Sequence, residues 1–405
     1  MASAGQPPSL TFRIRGRLAG VGLAAIVTVG LTAVDTRPAQ GQTAATATET
    51  TLYTFTGGTD GGSPYAGLTR DAAGNLYGVT FAGGSANLGT VYKIDATGTE
   101  SVLHSFTGKP DGEHPSHKLL RDHAGNLFGV AYEGGANGYG AVFEVDASGT
   151  ETVLYSFGAG TDGEYPSSPL IGDEAGNLIG TTGYGGTTGN GTIYRLSKTG
   201  QETILHNFRG PEGANPFTAL IRDSSGNLYG TASLGGASGN GTVFELTHNG
   251  HMTLLHSFSN GTDGANPYAG LTRDSVGNLY GTTYYGGAAC HTFGCGTVFK
   301  IDTQGKETIL HAFGESDGHY PDFGTLAMDA AGNLYGTTYA GGTADMGVVF
   351  EVSSSGTETV LYNFTGGADE GFPVSGLVRD PSGDLYGTTL GNAPTTNGTV
   401  FKITP

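Results

Sequence analysis

Short apolar runs separated by polar turns fill the chain, and they recur in a fixed order. One stretch shows the order in full: Gly270-Leu-Thr-Arg273, Asn278-Leu-Tyr-Gly-Thr-Thr283, Gly296-Thr-Val-Phe-Lys-Ile301 and Glu307-Thr-Ile-Leu-His-Ala-Phe313. These runs are short and rich in Thr, Val, Leu, Tyr and Phe, the composition of strands rather than helices. Between the first two lies Asp274 to Asn278, of the form Asp-x-x-Gly-Asn; Asp146-Ala-Ser-Gly149 is similar. Asp opens such a turn through its own backbone, and Gly takes the left-handed position. The spacing predicts four strands per unit, termed A to D in chain order.

The unit is repeated. Gly-Asn-Leu-Tyr-Gly, or a near variant, begins at residues 74, 125, 176, 226, 277, 332 and 383. The run ending strand D closes on Phe55, Phe106, Phe157, Phe208, Phe258, Phe313 and Phe364. Seven units of four antiparallel strands predict an all-β fold, a seven-bladed β-propeller of four-stranded antiparallel blades. The phase of the repeat adds closure. The first unit supplies only a strand D, Thr51 to Phe55, and the last only A, B and C, Gly376 to Ile403. The N-terminal strand is therefore expected to complete the C-terminal blade and close the ring, which removes two open edges.

Composition fits this reading. Glycine accounts for 74 of 405 residues, as many turns require, and 20 Tyr and 19 Phe supply a core that a disordered chain lacks. Lys and Arg total 18 against 36 Asp and Glu. That balance excludes a nucleic-acid partner, which needs a basic footprint. Two cysteines cannot make a disulfide scaffold. Arg13, Arg15 and Arg17 precede an apolar run, Leu18 to Val34, and small residues Ala39 and Gly41 follow. Residues 1–41 read as a signal peptide, 42–48 as a linker and 49–405 as the propeller. The expectation is an exported protein, extracellular or periplasmic, with no membrane span once the signal is removed.

The composite Gly-Thr-Val-Phe, Thr-x-Leu-x-x-Phe, Asp-Gly-x-x-Pro and Gly-Asn-Leu-Tyr-Gly-Thr-Thr closely resembles the GloVer tandem repeat of bacterial secreted proteins, over about residues 49–405. The resemblance implies a secreted repeat protein and names no ligand. Kelch repeats also run to about 50 residues, but they usually carry tryptophan, and this chain has none.

Strand parity places the A–B and C–D turns at one end of the ring and the longer B–C and D–A loops at the other. Variable loops on a rigid scaffold are where ligands bind, so the second end is the expected working face. Its D–A loops carry Asp60, Asp111, Asp162, Asp263, Asp317 and Asp369, with Glu212 in the fourth. These read as a ring of acids for a polar ligand or Ca²⁺, or as turn formers. Calcium needs six to eight oxygens, more than one carboxylate per blade provides. Arg70, Arg121, Arg222, Arg273 and Arg379 end strand A, as an anion-binding ring or as ties between blades. Glu113, His114 and His117 are the weak candidate for a metal. His104, His206, His256 and His311 alternate with Tyr53, Tyr155 and Tyr362 at one strand-D position, which suits packing with a polar tip. Cys290 and Cys295, five positions apart in a lengthened B–C loop, are expected to pair in an oxidising compartment.

No nucleophile elbow, phosphate loop or zinc-cysteine pattern is present in the sequence. The expected function is a monomeric, cofactor-free, non-enzymatic propeller that binds extracellular polysaccharide or a surface protein. Tyr65, Tyr165, Phe217, Tyr268 and Tyr320 read as sugar-stacking groups or inter-blade wedges. The competing expectation is a lyase or hydrolase with its site at the channel mouth.

Overall fold

A computed structural model describes residues 47–287, 290, 292–321, 324–391 and 396–405. The signal-peptide reading, and the linker reading up to residue 46, lie outside them. The described residues form seven small antiparallel sheets arranged as the blades of a propeller. Blades one to six take their strands from residues 69–105, 120–156, 171–207, 221–257, 272–312 and 327–363. The seventh sheet joins Val378–Arg379, Leu385–Thr389 and Thr399–Thr404 to Thr48–Thr54. In that last pairing Thr48 faces Thr404 and Thr54 faces Thr399. Among the described residues no helix is long and apolar enough to cross a membrane.

Blade packing follows from one glycine and one ring. Strand B carries a glycine opposite an aromatic residue of strand C, as in Gly281 opposite Phe299. A Cβ built on Gly281 would stand 2.7 Å from Phe299 Cζ, so the ring lies across the bare backbone. The same ring meets the phenylalanine that ends strand D of the preceding blade. These edge-to-face pairs recur at every junction, from Phe55–Tyr92 at 5.0 Å to Phe258–Phe299 at 5.3 Å and Phe364–Phe401 at 5.1 Å. The phenylalanines of strand D are almost fully buried, which explains their fixed spacing.

Two features depart from the sequence expectation. Strand D is bulged in every blade; in blade five Val298 pairs with His311 and Phe299 with Ile309, so Leu310 is extra. A bulge on the outermost strand blunts an edge that would otherwise invite pairing. Strand A is far shorter than Gly270–Arg273; in blade five it is Thr272–Arg273. Blade two shows why. Glu113–Pro115 pairs with the far end of strand B, at Glu133 and Ala131, and Leu120–Arg121 pairs with its start, at Phe128 and Leu127. Residues 116–119 thus cover the distance that strand B spans with 129–130. The surplus bulges toward the propeller axis and interrupts the strand.

Candidate functional site

The residue before each D–A proline has a left-handed backbone in all seven blades: Ser63, His114, Tyr165, Asn215, Asn266, Tyr320 and Phe372, with φ from 52° to 60°. The cause is an inter-blade hydrogen bond. Each of these residues donates its N–H to the carbonyl that precedes strand C of the blade before, as in His114 to Leu88 O at 2.9 Å, Tyr165 to Tyr139 O at 2.9 Å and Phe372 to Met346 O at 2.8 Å. Asn accepts this conformation at little cost, while a bulky side chain is an outlier there. Four blades nevertheless place His, Tyr or Phe at this position.

Those rings build the mouth on the B–C and D–A face. Each pairs with the ring at the end of a neighbouring strand B. His114 stacks on Phe81 at 4.4 Å, Tyr165 on Tyr132 at 5.1 Å and Tyr320 on Tyr284 at 4.8 Å; Phe372 meets Tyr339 at 5.1 Å. Phe217 continues the girdle against Tyr184 at 5.7 Å, and Tyr268 lies edge-on to Tyr284 at 5.6 Å. All of these rings are partly buried. They wedge the blades and keep part of their surface in water. At the junction of blades four and five the girdle is broken, where Asn266 donates to Ser233 O at 3.0 Å.

The sequence-predicted acids lie in the turns of the same loops. Asp60 accepts from Thr56 N at 2.8 Å and Tyr53 OH at 3.1 Å; Asp369 accepts from Thr365 N at 2.8 Å and Tyr362 OH at 3.0 Å. Asp162 accepts from Tyr155 OH and Asp263 from Ser259. Burial alone would raise the Asp60 carboxyl, but hydrogen bonds from Thr56 and Tyr53 outweigh it and hold the group below its usual range. Histidine replaces tyrosine at His104–Asp111, 3.2 Å, and His311–Asp317, 2.9 Å; His206 sits 3.4 Å from Glu212.

The sequence reading missed the third member of these groups. Glu100, Glu151, Glu202, Glu307 and Glu358 open strand D of the next blade, each with a buried Oε1 that has no hydrogen-bond partner. Burial first, and then the carboxylate of the preceding D–A loop, pushes Glu100, Glu151, Glu202 and Glu307 up to about 7. Glu358 reaches about 7 mainly by burial, with His311 opposing and Asp317 adding. His104, Asp111 and Glu151 bring one ligand-type atom each within 4.8 Å of one another, as do His311, Asp317 and Glu358. These two sets have the chemistry to hold a divalent cation. The regular spacing of the glutamates in the sequence was the available signal, but the contact lies between blades.

The arginine ring is occupied within the fold. Arg70, Arg121, Arg273 and Arg379 lie over Tyr386, Tyr77, Tyr229 and Tyr335 of the adjoining blade, 5.4–5.8 Å from the ring centres. Arg222 approaches Glu174 at 3.6 Å, and Arg70 also approaches Asp380 at 3.5 Å. Glu113 and His114 group with Glu133, while His117 belongs to the axial bulge. Cys290 and Cys295 are disulfide-bonded with Cα atoms 5.9 Å apart. Cys295 is also the residue whose carbonyl holds the Tyr320 N–H, at 2.9 Å. The disulfide therefore braces a loop to which one mouth tyrosine is docked. A cleft at the opposite end, between blades five and six, is lined by Tyr280, Lys300, Lys306 and Met328. Lys300 there stacks over Tyr280 at 5.6 Å, and no group converges from several blades.

No curated protein matches the chain in sequence. Among solved structures it is similar to the extracellular domain of the hybrid two component system BT3049 from B. thetaiotaomicron, with 14% identity and a TM-score of 0.54 over 84% of this chain and 39% of that one. The extracellular domain of BT4673 from the same organism aligns with 13% identity and a TM-score of 0.56, over 90% of this chain and 43% of that one. This chain thus spans about four-tenths of the length of either, and the likeness is one of fold. XC5397 from Xanthomonas campestris, a gluconolactonase, aligns at 16% identity over 69% of this chain and 82% of that one, with a TM-score of only 0.43. The repeat itself is more specific: with its profile matching residues 40–238 and 218–405, the chain belongs to the Gloeobacter/Verrucomicrobia repeat family.

Proposed function

We propose that the protein is an exported, non-enzymatic propeller that binds extracellular polysaccharide at the aromatic mouth on its B–C and D–A face. One observation carries the reading. His114, Tyr165, Tyr320 and Phe372 hold aromatic rings on a left-handed backbone, a conformation that costs ~1–2 kcal/mol for such residues. Asn215 and Asn266 show that the fold accepts a cheaper residue at the same place. Strain of this kind is characteristic of ligand sites, and partly exposed aromatic rings suit the apolar faces of sugars. Export is supported by the disulfide and by the extracellular domains among the structural neighbours.

The test is affinity electrophoresis against a panel of neutral and acidic polysaccharides, with Tyr165→Ala and Tyr320→Ala variants alongside. Retardation by at least one polysaccharide, weakened in both variants, is expected. Unretarded wild-type protein, or variants that bind as wild type does, would overturn the reading. Release of sugar fragments during the assay would move it to the lyase or hydrolase class.

A further inference from the structure

The bulge between each D–A proline and strand A carries one residue onto the propeller axis. In chain order these are Gly67, Lys118, Pro169, Ala219, Gly270, Thr325 and Gly376. Six of them meet in a chain of contacts that runs from Lys118 through Gly67, Gly376, Thr325 and Gly270 to Ala219, forming a collar. A Cβ built on Gly67 would lie 3.8 Å from Lys118 Cβ and 3.4 Å from Gly376 O. One on Gly270 would lie 2.6 Å from Ala219 Cβ and 2.7 Å from Thr325 Oγ1, and one on Gly376 would lie 2.8 Å from Thr325 O. In blades one, three and four burial alternates along the bulge. Ala66 and Leu68, Ser168 and Leu170, and Thr218 and Leu220 are buried, while Gly67, Pro169 and Ala219 between them keep contact with water.

Only one collar residue is long and charged. Lys118 is exposed, yet burial holds its ammonium below the usual lysine range. Protein packs around part of it, and water reaches the rest. Among the described residues it has no hydrogen-bond or ion-pair partner. The strand-A arginines next to the collar differ: Arg70, Arg121, Arg273 and Arg379 lie on tyrosines and Arg222 beside Glu174. This chain carries a net charge of -18, yet no carboxylate among the described residues pairs with this lysine.

The surroundings of Lys118 are also particular to its blade. His117 stands where other blades have Ala66, Ser168, Thr218, Ala269, Gly324 and Ser375, of which all but Gly324 are almost fully buried. Burial pushes the His117 imidazole down to about 4, so at neutral pH it is an uncharged ring with an N–H to donate. In the next blade, two residues before Pro169, Ser167 is 1% exposed and its Oγ has no hydrogen-bond partner. The collar is the floor of the aromatic mouth. Tyr65, Phe217 and Tyr268 precede the collar residues Gly67, Ala219 and Gly270 by two positions, a reach of no more than ~7 Å.

We propose that Lys118, with His117 beside it, is an anion subsite on the axis that takes a single carboxylate, so that the glycan held at the mouth is an acidic, uronate-bearing one. This rests on the glycan-binding reading for its second half and on the collar geometry for its first. One fixed cation among neutral donors matches a monoanion. A sugar ring stacked on the girdle can lower its carboxylate onto the floor, whereas the acidic exterior repels anions from other approaches.

Isothermal titration calorimetry separates the two halves. The probes are an oligogalacturonide, its fully methyl-esterified form and monomeric galacturonate, against wild type, Lys118→Met and Tyr165→Ala, each checked for an unchanged melting profile. The acid oligomer is expected to bind wild type at least about tenfold tighter than the ester, the size of one charge-assisted hydrogen bond. Lys118→Met should abolish that preference. Acid and ester binding equally, with Lys118→Met unchanged, would overturn the subsite and leave the mouth reading standing. Monomer bound through Lys118 without any oligomer binding would uphold the subsite and remove the glycan reading. Failure of all three probes to bind overturns the proposal.

Discussion

Raising the pH from 5 to 8 should destabilise the propeller, against the usual expectation for a protein of ordinary carboxylates. The cause is the set of glutamates opening strand D. Glu307, 14% exposed and facing Asp263, is pushed from 4.5 to about 7, first by burial and then by that carboxylate. A group whose pKa is raised on folding stabilises the fold fully below its unfolded value. That contribution is lost as the pH rises through its folded value. At ~1.4 kcal/mol per unit the shift is worth roughly 3 kcal/mol for an unscreened site. These glutamates keep part of their surface in water, so solvent screening reduces this to ~1 kcal/mol each. Glu100, Glu151, Glu202 and Glu358 share the shift, giving ~5 kcal/mol for the five. A ring of this length unfolds with an entropy of ~0.75 kcal/mol/K, so the melting temperature should fall by ~7 °C between pH 5 and 8. Below that window Asp71, Asp173, Asp274 and Asp329 act in the opposite sense. Their turn hydrogen bonds hold them below their usual range, so stability is lost again as they protonate. The assay is thermal unfolding by circular dichroism at constant ionic strength, with Glu307→Gln as the companion. Gln should raise stability at pH 8 by ~1 kcal/mol and leave it unchanged at pH 5. A melting temperature that is flat or rising from pH 5 to 8 would refute the reasoning.

Deleting Thr51 to Phe55 removes most of the strand paired with Thr399–Thr404 and the Phe55 ring packed on Tyr92; the cooperative melt should shift down or broaden, and an unchanged transition would show that ring closure does not depend on this strand. Tyr320→Asn exchanges a left-handed tyrosine for the residue that suits the backbone. Relief of ~1 kcal/mol of strain should offset the lost stacking on Tyr284, so stability stays within ~1 kcal/mol while polysaccharide retardation weakens; a large loss of stability would make the ring purely structural. Cys290 and Cys295 should resist alkylation until a reductant is added, as intact mass will report, and the short span they close predicts a stability loss below ~3 kcal/mol in Cys290→Ser.

The blades were legible because each one solves the same packing problem with local residues. Gly281, Phe299 and Phe313 recur at fixed spacing since ring, bare backbone and neighbouring ring must meet at every junction. Strand A was read too long because Gly270-Leu-Thr-Arg273 has strand composition, whereas its pairing is decided by the surplus residues that precede it. The Asp60 to Asp369 series was visible as a motif, but its glutamate partners were not. Asp111 and Glu151 lie forty residues apart and meet only through the angle between blades. His117 was noticed for its neighbours in sequence, Glu113 and His114, while its position is set by the bulge. Lys118 carries no signal in the sequence, because only the collar reveals that its six equivalents are small.

The ladder that joins the two ends of the described chain also fixes how the ring answers to a pull. Thr48 lies beside Thr404, and Thr54 beside Thr399, in an antiparallel pairing. Tension drawn through both ends would load the Thr48–Thr404 rung first and then each rung in turn, as a zipper opens, rather than all together. Tension through one end alone leaves the other strand unloaded. A molecule fastened at a single end would thus keep its seventh blade under flow, whereas one stretched between two attachments would open there first.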